Sequence, residues 1–319
     1  MGAGGVLAPE QQEIEVSRLP VNRDLMIVYP PLGNRFYCEL ADRFNEAAVG
    51  LGYATQLVTP DELADCEDRI RDSSAFVVNP VECALSSYEA LGLLGRARSC
   101  TAVLAECAET KWYRNQFHLG VPFDDIIDVG FVDQSHLHGF EHVRYRFLFN
   151  APLRREAAAI AAATPAAART FAWAMVGNST PRRIRLSHDL LTTFGPTGFL
   201  FLPKIRPVRP GEGMLSPANL RRVLDQTGLY VWCAHHEYSY YESFRFLDAV
   251  VAGALPCKID TGATTKASDL PPVYASVEAL AERVAAGSVE ELFEEHRQFA
   301  LSHGTLEDRL AEVLDRDDD

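Results

Sequence analysis

Two hydrophobic rhythms alternate along this chain. Short dense runs of β-branched and aromatic residues recur, each followed by a longer segment with apolar residues three and four apart. Asp24–Pro30 (DLMIVYP) is the first run, and Phe36–Gly50 follows as a helix with Leu40, Phe44, Ala47 and Ala48 on one face. Strands are predicted again at Ala54–Thr59, Ser74–Asn79, Thr101–Glu106 and Asp125–Val132, with helices at Pro60–Asp72, Ser86–Arg98 and Lys111–Leu119 between them. The alanine-rich segment Arg154–Arg169 suits a helix and a connector. A second alternation starts at Thr170. Its strands are Phe171–Gly177, Gly198–Pro203, Leu229–Ala234 and Leu255–Ile259. Its helices are Arg182–Phe194, Ser216–Gln226, Glu242–Ala252, Val277–Ala285 and Val289–His303, and Leu306–Leu314 is a last helix. Alternation at this spacing implies βαβ units and parallel sheets. The expected organisation is a disordered leader over 1–20, a Rossmann-like domain over 21–152 and a linker helix over 153–169. A second Rossmann-like domain spans 170–304, and 305–319 form a final helix and a solvated acidic tail.

Composition narrows the function classes. The chain has 319 residues and a formal net charge of −14, which argues against general nucleic-acid binding while leaving room for a local basic pocket. No stretch approaches the ~20 apolar residues of a membrane span, and the N-terminus lacks the basic start and apolar core of a signal peptide. Seven scattered cysteines without a CxxC pair read as reduced thiols in a cytoplasmic protein. The turn after the first strand, PPLGNRF, is not a GxGxxG, which argues against a nicotinamide dehydrogenase.

The chemistry concentrates in Leu229–Asp260, LYVWCAHHEYSYYESFRFLDAVVAGALPCKID. A strand ends in a polar, aromatic loop, and Phe244, Leu247 and Val251 then lie on one helix face up to a C-cap glycine, Gly253. A loop at a strand's carboxyl end and a helix's amino end is where open α/β sheets bind ligands, anions above all. The segment FAWAMVGNSTPRRIR repeats the theme. Gly177-Asn178 end a strand, and Arg182 and Arg183 begin a helix, where they would bond a diphosphate or lie solvated. Lys204 and Arg206 follow the next strand. Glu242 suits the two hydroxyls of a ribose, or serves its helix dipole. Ser243 and Arg245 are within reach of phosphate. Tyr238, Tyr240 and Tyr241 stack on a base or sugar, or pack between domains. His235 and His236 directly follow a strand.

The run from Glu242 to Cys257 resembles the donor-site helix of GT-B glycosyltransferases, closest to the exostosin-like and fucosyltransferase-like branch. In the other large branch two glutamates stand eight apart; here Tyr240 stands eight before Asp248. The resemblance implies an α/β fold of two Rossmann-like domains facing each other, with a final helix crossing back onto the first. It implies a nucleoside-diphosphate sugar as donor substrate, no metal and no cofactor, and a glycan or small-molecule acceptor. Arg182 or Arg183 with Lys204 would then take the diphosphate, whose charge grows as the glycosidic bond breaks. Gly177, Asn178, His236, Tyr241, Glu242, Ser243 and Arg245 complete the expected donor site. The first domain should hold the acceptor and a general base. Asn34, Arg35, Asn79, Glu82, Glu106 and Glu109 lie at its strand ends, and Glu82, Glu106 and His235 are the catalytic candidates. His136, His138 and His142 have a spacing that a metal site also uses. Two rivals remain. One is a polysaccharide pyruvyl transferase with His235 and Arg245 acting on phosphoenolpyruvate; the other is a non-catalytic nucleotide- or glycan-binding protein.

Overall fold

The computed structural model describes residues 23–30, 35–104, 123–129, 143–148, 150–163, 165, 169–204, 215–234, 241–260 and 270–314. The first sheet contains β1 (Asp24–Val28), β2 (Ala54–Val58), β3 (Ser74–Val78), β4 (Ser99–Leu104), β5 (Asp125–Asp128) and β6 (Arg144–Phe147). Their order is β2-β1-β3-β4-β5-β6, and every neighbouring pair is parallel. Both faces of its inner strands are covered, which is why those strands read as continuous apolar runs. Leu25 and Ile27 pack with Phe76, Val78 and Val103 on one side, while Met26 and Val28 pack with Ala75 and Val77 on the other.

Helix α1 (Arg35–Gly50) covers the first of these sides through Leu40, Phe44, Ala47 and Ala48. The other connections are shorter than the spacing predicts. The segment expected as one helix over 60–72 is a 3₁₀ turn, Pro60–Cys66, running into α2 (Glu67–Ile70). Thr59 and Glu62 form a capping box there: the Thr59 amide and hydroxyl both donate to the Glu62 carboxylate, at 2.7 and 2.9 Å. The helix expected to begin at Ser86 begins at Pro80. Asn79 adopts the left-handed region (φ 50°) and accepts the Glu82 amide, and Pro80 suits the first helical position. That segment breaks into α3 (Pro80–Ser86), α4 (Tyr88–Leu91) and a 3₁₀ turn over Gly92–Arg96, where two glycines weaken a continuous helix.

After α5 (Arg154–Ala162) comes the second sheet: β7 (Phe171–Val176), β8 (Gly198–Phe201), β9 (Thr227–Trp232), β10 (Leu255–Ile259) and β11 (Val273–Tyr274). It is also parallel throughout, in the order β11-β10-β9-β7-β8. Its helices are α6 (Pro181–Phe194), α7 (Pro217–Leu224), α8 (Ser243–Ala252), α9 (Val277–Ala286) and α10 (Val289–Ser302). Helix α8 ends at Gly253 in the left-handed conformation (φ 71°), its amide bonding the Ala249 and Val250 carbonyls. Arg169 adds a second cap by donating to the Gly253 carbonyl at 2.6 Å.

The last helix, α11 (Leu306–Leu314), crosses back. Leu306, Leu310, Val313 and Leu314 are buried in the α1 side of the first core. The crossing is pinned where the Leu306 amide donates to the Pro152 carbonyl at 2.8 Å and the Arg154 amide donates to the Glu307 carboxylate. Arg43 of α1 holds the same connector by donating to Glu156 at 2.6 Å and to the Ala151 carbonyl at 2.9 Å.

Candidate functional site

In the second sheet, chain order reverses at β7, which lies between β8 and β9. Loops leaving β7 and β9 therefore run in opposite directions, and a crevice opens between their carboxyl ends. Arg183 spans that crevice. It is 3% exposed; its Nε and Nη2 donate to the Cys233 carbonyl after β9, at 3.4 and 3.2 Å, and Nη1 donates to the Asn178 carbonyl after β7, at 3.2 Å. Among the described residues, one N–H on each terminal nitrogen remains uncommitted. Thr180 caps α6 by accepting the Arg183 amide, and Pro181 takes the first helical position, so α6 begins where its arginines reach the crevice.

Arg245 enters from α8. Its Nη1 donates to the Val176 carbonyl at 2.8 Å and to the Tyr230 hydroxyl at 2.7 Å. The two guanidinium groups flank Gly177, whose φ is 154°. A Cβ at this position would lie 2.8 Å from Arg183 Nη1 and 3.2 Å from Arg245 Nη2, so a side chain there would push the guanidinium groups off the strand end. Beside it the Asn178 Oδ1 is buried without a hydrogen-bond partner among the described residues. Arg182, one residue from Arg183, turns to β10 and pairs with Asp260 at 3.2 Å.

Glu242 precedes α8 but does not cap it. Its Oε2 accepts two bonds of 2.9 Å, from Trp232 Nε1 and from Lys258 Nζ. Its Oε1 is buried and has no partner among the described residues. Burial pushes this carboxyl up, but the Lys258 ammonium, Arg245, the Lys258 hydrogen bond and Arg183 outweigh it and hold the group below the usual carboxylate range. Ser243 is buried and donates to the carbonyl of Val129, the residue after β5, at 3.0 Å, so the first turn of α8 is seated against the first sheet. Phe244 buries its ring in the first sheet's core.

The structure thus gathers Gly177, Asn178, Arg182 and Arg183 from one stretch of chain and Glu242, Ser243 and Arg245 from another. Lys204 is exposed, three residues beyond β8, on a loop zipped to the 177–179 turn by the Ser179 amide to Pro203 carbonyl bond of 2.9 Å. Tyr241 departs from the expectation of a stacking surface. It is 2% exposed and packs edge-on against Trp232 and Phe246, with Lys258 Nζ 5.5 Å over its ring. A ring wedged between two core aromatics is a floor for the site. Glu82 lies half-buried in the first turn of α3, on the other sheet. The catalytic candidates Glu106 and His235 lie outside the described residues. So do His236, Tyr238, Tyr240, Asn34, Glu109, Arg206 and the histidines 136, 138 and 142, and so does the side chain of Arg35. Lys258 and Asp260 were not singled out from sequence. The signal was a lysine inside the apolar strand LPCKI, which has to find a buried partner.

A second opening, a cavity of about 320 Å³, lies between α1, α5, α7 and the Phe244–Leu247–Asp248 flank of α8. Its arginines are each paired with a carboxylate, Arg43 with Glu156, Arg155 with Glu46 and Arg221 with Asp225. It offers an anionic ligand less than the crevice between β7 and β9 does. Among the described residues no helix is long and apolar enough to cross a membrane.

No protein-family model and no curated protein matches this sequence. Solved structures do. One described as an "alpha-glucosyltransferase in complex with UDP and a 13-mer DNA containing a central A:G mismatch" is similar with a TM-score of 0.58 at 8% identity, over 93% of this chain and 99% of that chain. An alpha1,3-fucosyltransferase is similar with a TM-score of 0.43 at 12% identity, over 90% of this chain and 80% of that one. The glycotransferase of kitacinnamycin gives 0.43 at 14%, over 92% and 98%. The first likeness carries the fold, which is that of GT-B glycosyltransferases: two Rossmann-like domains in one α/β chain.

Proposed function

We propose that this protein transfers a sugar from a nucleoside-diphosphate donor to a hydroxyl or amine acceptor, and does so without a metal ion. The observation that carries the reading is the pair of arginines, Arg183 and Arg245, closing on Gly177 at the switch point of the second sheet. Gly177 and Asn178 give the diphosphate a close backbone approach, and the uncommitted N–H groups of Arg183 aim charge-assisted bonds at it. The amino terminus of α8 adds its dipole. These fixed positive groups stabilise the leaving diphosphate as its charge grows, and they need no reorganisation to do so. On this reading the buried Glu242 Oε1 accepts the ribose hydroxyls, and Lys204 sits at the edge of the diphosphate pocket. The acceptor and the general base belong to the first domain, where Glu82 and Glu106 are the candidates; His235, which follows β9 in the second domain, is the third catalytic candidate.

The test is turnover. The protein is incubated with UDP-, GDP-, ADP- and dTDP-sugars and a panel of glycan and amine acceptors, with and without EDTA, and release of nucleoside diphosphate is followed. Acceptor-dependent release that survives EDTA, and that falls about 100-fold in Arg183→Met, is the expected result. Release of phosphate from phosphoenolpyruvate, with every nucleotide sugar untouched, would instead favour pyruvyl transfer. Nucleotide binding with no turnover on any acceptor would favour a binding protein.

A further inference from the structure

Lys258 lies within β10 and is 2% exposed, in a strand otherwise made of apolar side chains. A buried ammonium is retained only with a partner in good geometry. That partner is Glu242, and the contact is one-sided. Lys258 Nζ and Trp232 Nε1 both end on Oε2, at 2.9 Å each, while Oε1 is buried with no partner among the described residues. Two donors from two different strands fix the plane of the carboxylate, and an oxygen tied twice cannot swing away to serve a ligand. The free oxygen is the one with lone pairs to offer. An orphaned buried carboxylate oxygen is costly, and a pair of hydroxyl donors removes the cost.

Resting on the nucleotide reading above, we infer that Lys258, seconded by Trp232, is a positioning residue of the donor site: it holds Glu242 by Oε2 so that Oε1 receives the ribose hydroxyls. It acts through Glu242 and does not touch the nucleotide. Among the described residues, the charged and titratable groups around Glu242 are Lys258 on β10, Arg245 on α8, Arg183 on α6, Cys233 after β9 and its chain neighbour Tyr241. Without Lys258 the bond and the nearest positive charge go together, and burial then drives the carboxyl upward.

The experiment measures by calorimetry the affinities of UDP, GDP, ADP and dTDP, and of the 2′,3′-dideoxy form of the tightest ribonucleotide among them. In wild type the hydroxyls are expected to contribute about tenfold or more, the value of a hydrogen bond to a charged group. In Lys258→Met that ratio should fall towards one near neutral pH and recover as pH is raised, because the carboxyl must first lose its proton. In wild type it should be flat over the same range. A folded Lys258→Met that keeps the full ratio at every pH overturns the inference. If this variant fails to fold, Trp232→Phe leaves every charge in place and removes one of the two bonds; a several-fold drop in the ratio supports the inference, and an unchanged ratio sinks it. The failures are separable. A wild-type protein that binds nucleoside diphosphates with no preference for ribose refutes the Glu242 contact itself, and one that binds none refutes the nucleotide reading.

Discussion

Gly177→Ala adds one methyl at the narrowest point of the site. Its φ of 154° is one that residues with a side chain rarely adopt, and forcing alanine there costs about 1–3 kcal/mol. The methyl would also stand 2.8 Å from Arg183 Nη1 and 3.2 Å from both Arg183 Cζ and Arg245 Nη2. These are side-chain ends, so the guanidinium groups yield before the backbone does. If Arg183 moves, it gives up its bonds to the Cys233 and Asn178 carbonyls. A bond from a charged donor is worth roughly 1.5–3 kcal/mol, so strain and the net loss of one such bond together come to about 2.5–6 kcal/mol. The assay is urea unfolding followed by tryptophan fluorescence, since Trp173 and Trp232 are both in the second core, alongside calorimetry with the tightest-binding nucleoside diphosphate. Stability should drop by that amount, and nucleotide affinity by tenfold or more. A variant with wild-type stability and wild-type affinity would mean that Arg183 and Arg245 do not close on Gly177, and the site as described would fall.

Two further predictions concern the frame. His296 is fully buried, with Nδ1 2.7 Å from the Leu292 carbonyl and Nε2 without a partner, and burial holds its pKa below the usual histidine value. Because the folded value is the lower one, the unfolded chain binds the proton more tightly; stability is full above the unfolded pKa of about 6.5 and is lost as pH falls below it. His296→Leu should therefore flatten thermal stability between about pH 7 and 5, and melting curves with the same slope in both proteins would refute this. Leu310→Ala empties a fully buried position where α11 packs on the first core, at a cost of about 2–5 kcal/mol. Hydrogen exchange should show the loss in α1, and protection unchanged in α1 would mean that α11 is not part of that core.

The fold was legible because the central strands are buried on both faces. Runs such as DLMIV and SAFVV have no polar alternation to blur them, and the strand–helix spacing then implies parallel sheets. The strands that escaped notice are edge strands. β6 is RYRF, in which Arg146 and Arg144 pair with Asp125, and β11 is two residues long after a pair of prolines. Neither carries an apolar run. Helix lengths were lost where caps and glycines act locally, as at Asn79-Pro80 and Gly92. In the site, residue types were legible and partners were not. Lys258 lies 16 residues from Glu242 and Asp260 lies 78 from Arg182, and only the β9–β10 pairing and the approach of α6 bring them together. Tyr241 shows the same limit. Its neighbours in sequence are polar, and its neighbours in space, Trp232 and Phe246, make it core.

The central claim is that a nucleoside diphosphate seats in the crevice between β7 and β9. The most direct measurement is a crystal structure of the protein soaked with a mixture of UDP, GDP, ADP and dTDP. The account expects diphosphate oxygens within hydrogen-bond distance of residues 177–183 and of the α8 amino terminus, with ribose hydroxyls on Glu242 Oε1. A nucleotide bound instead at the carboxyl edge of the first sheet, between β1 and β3, would contradict it.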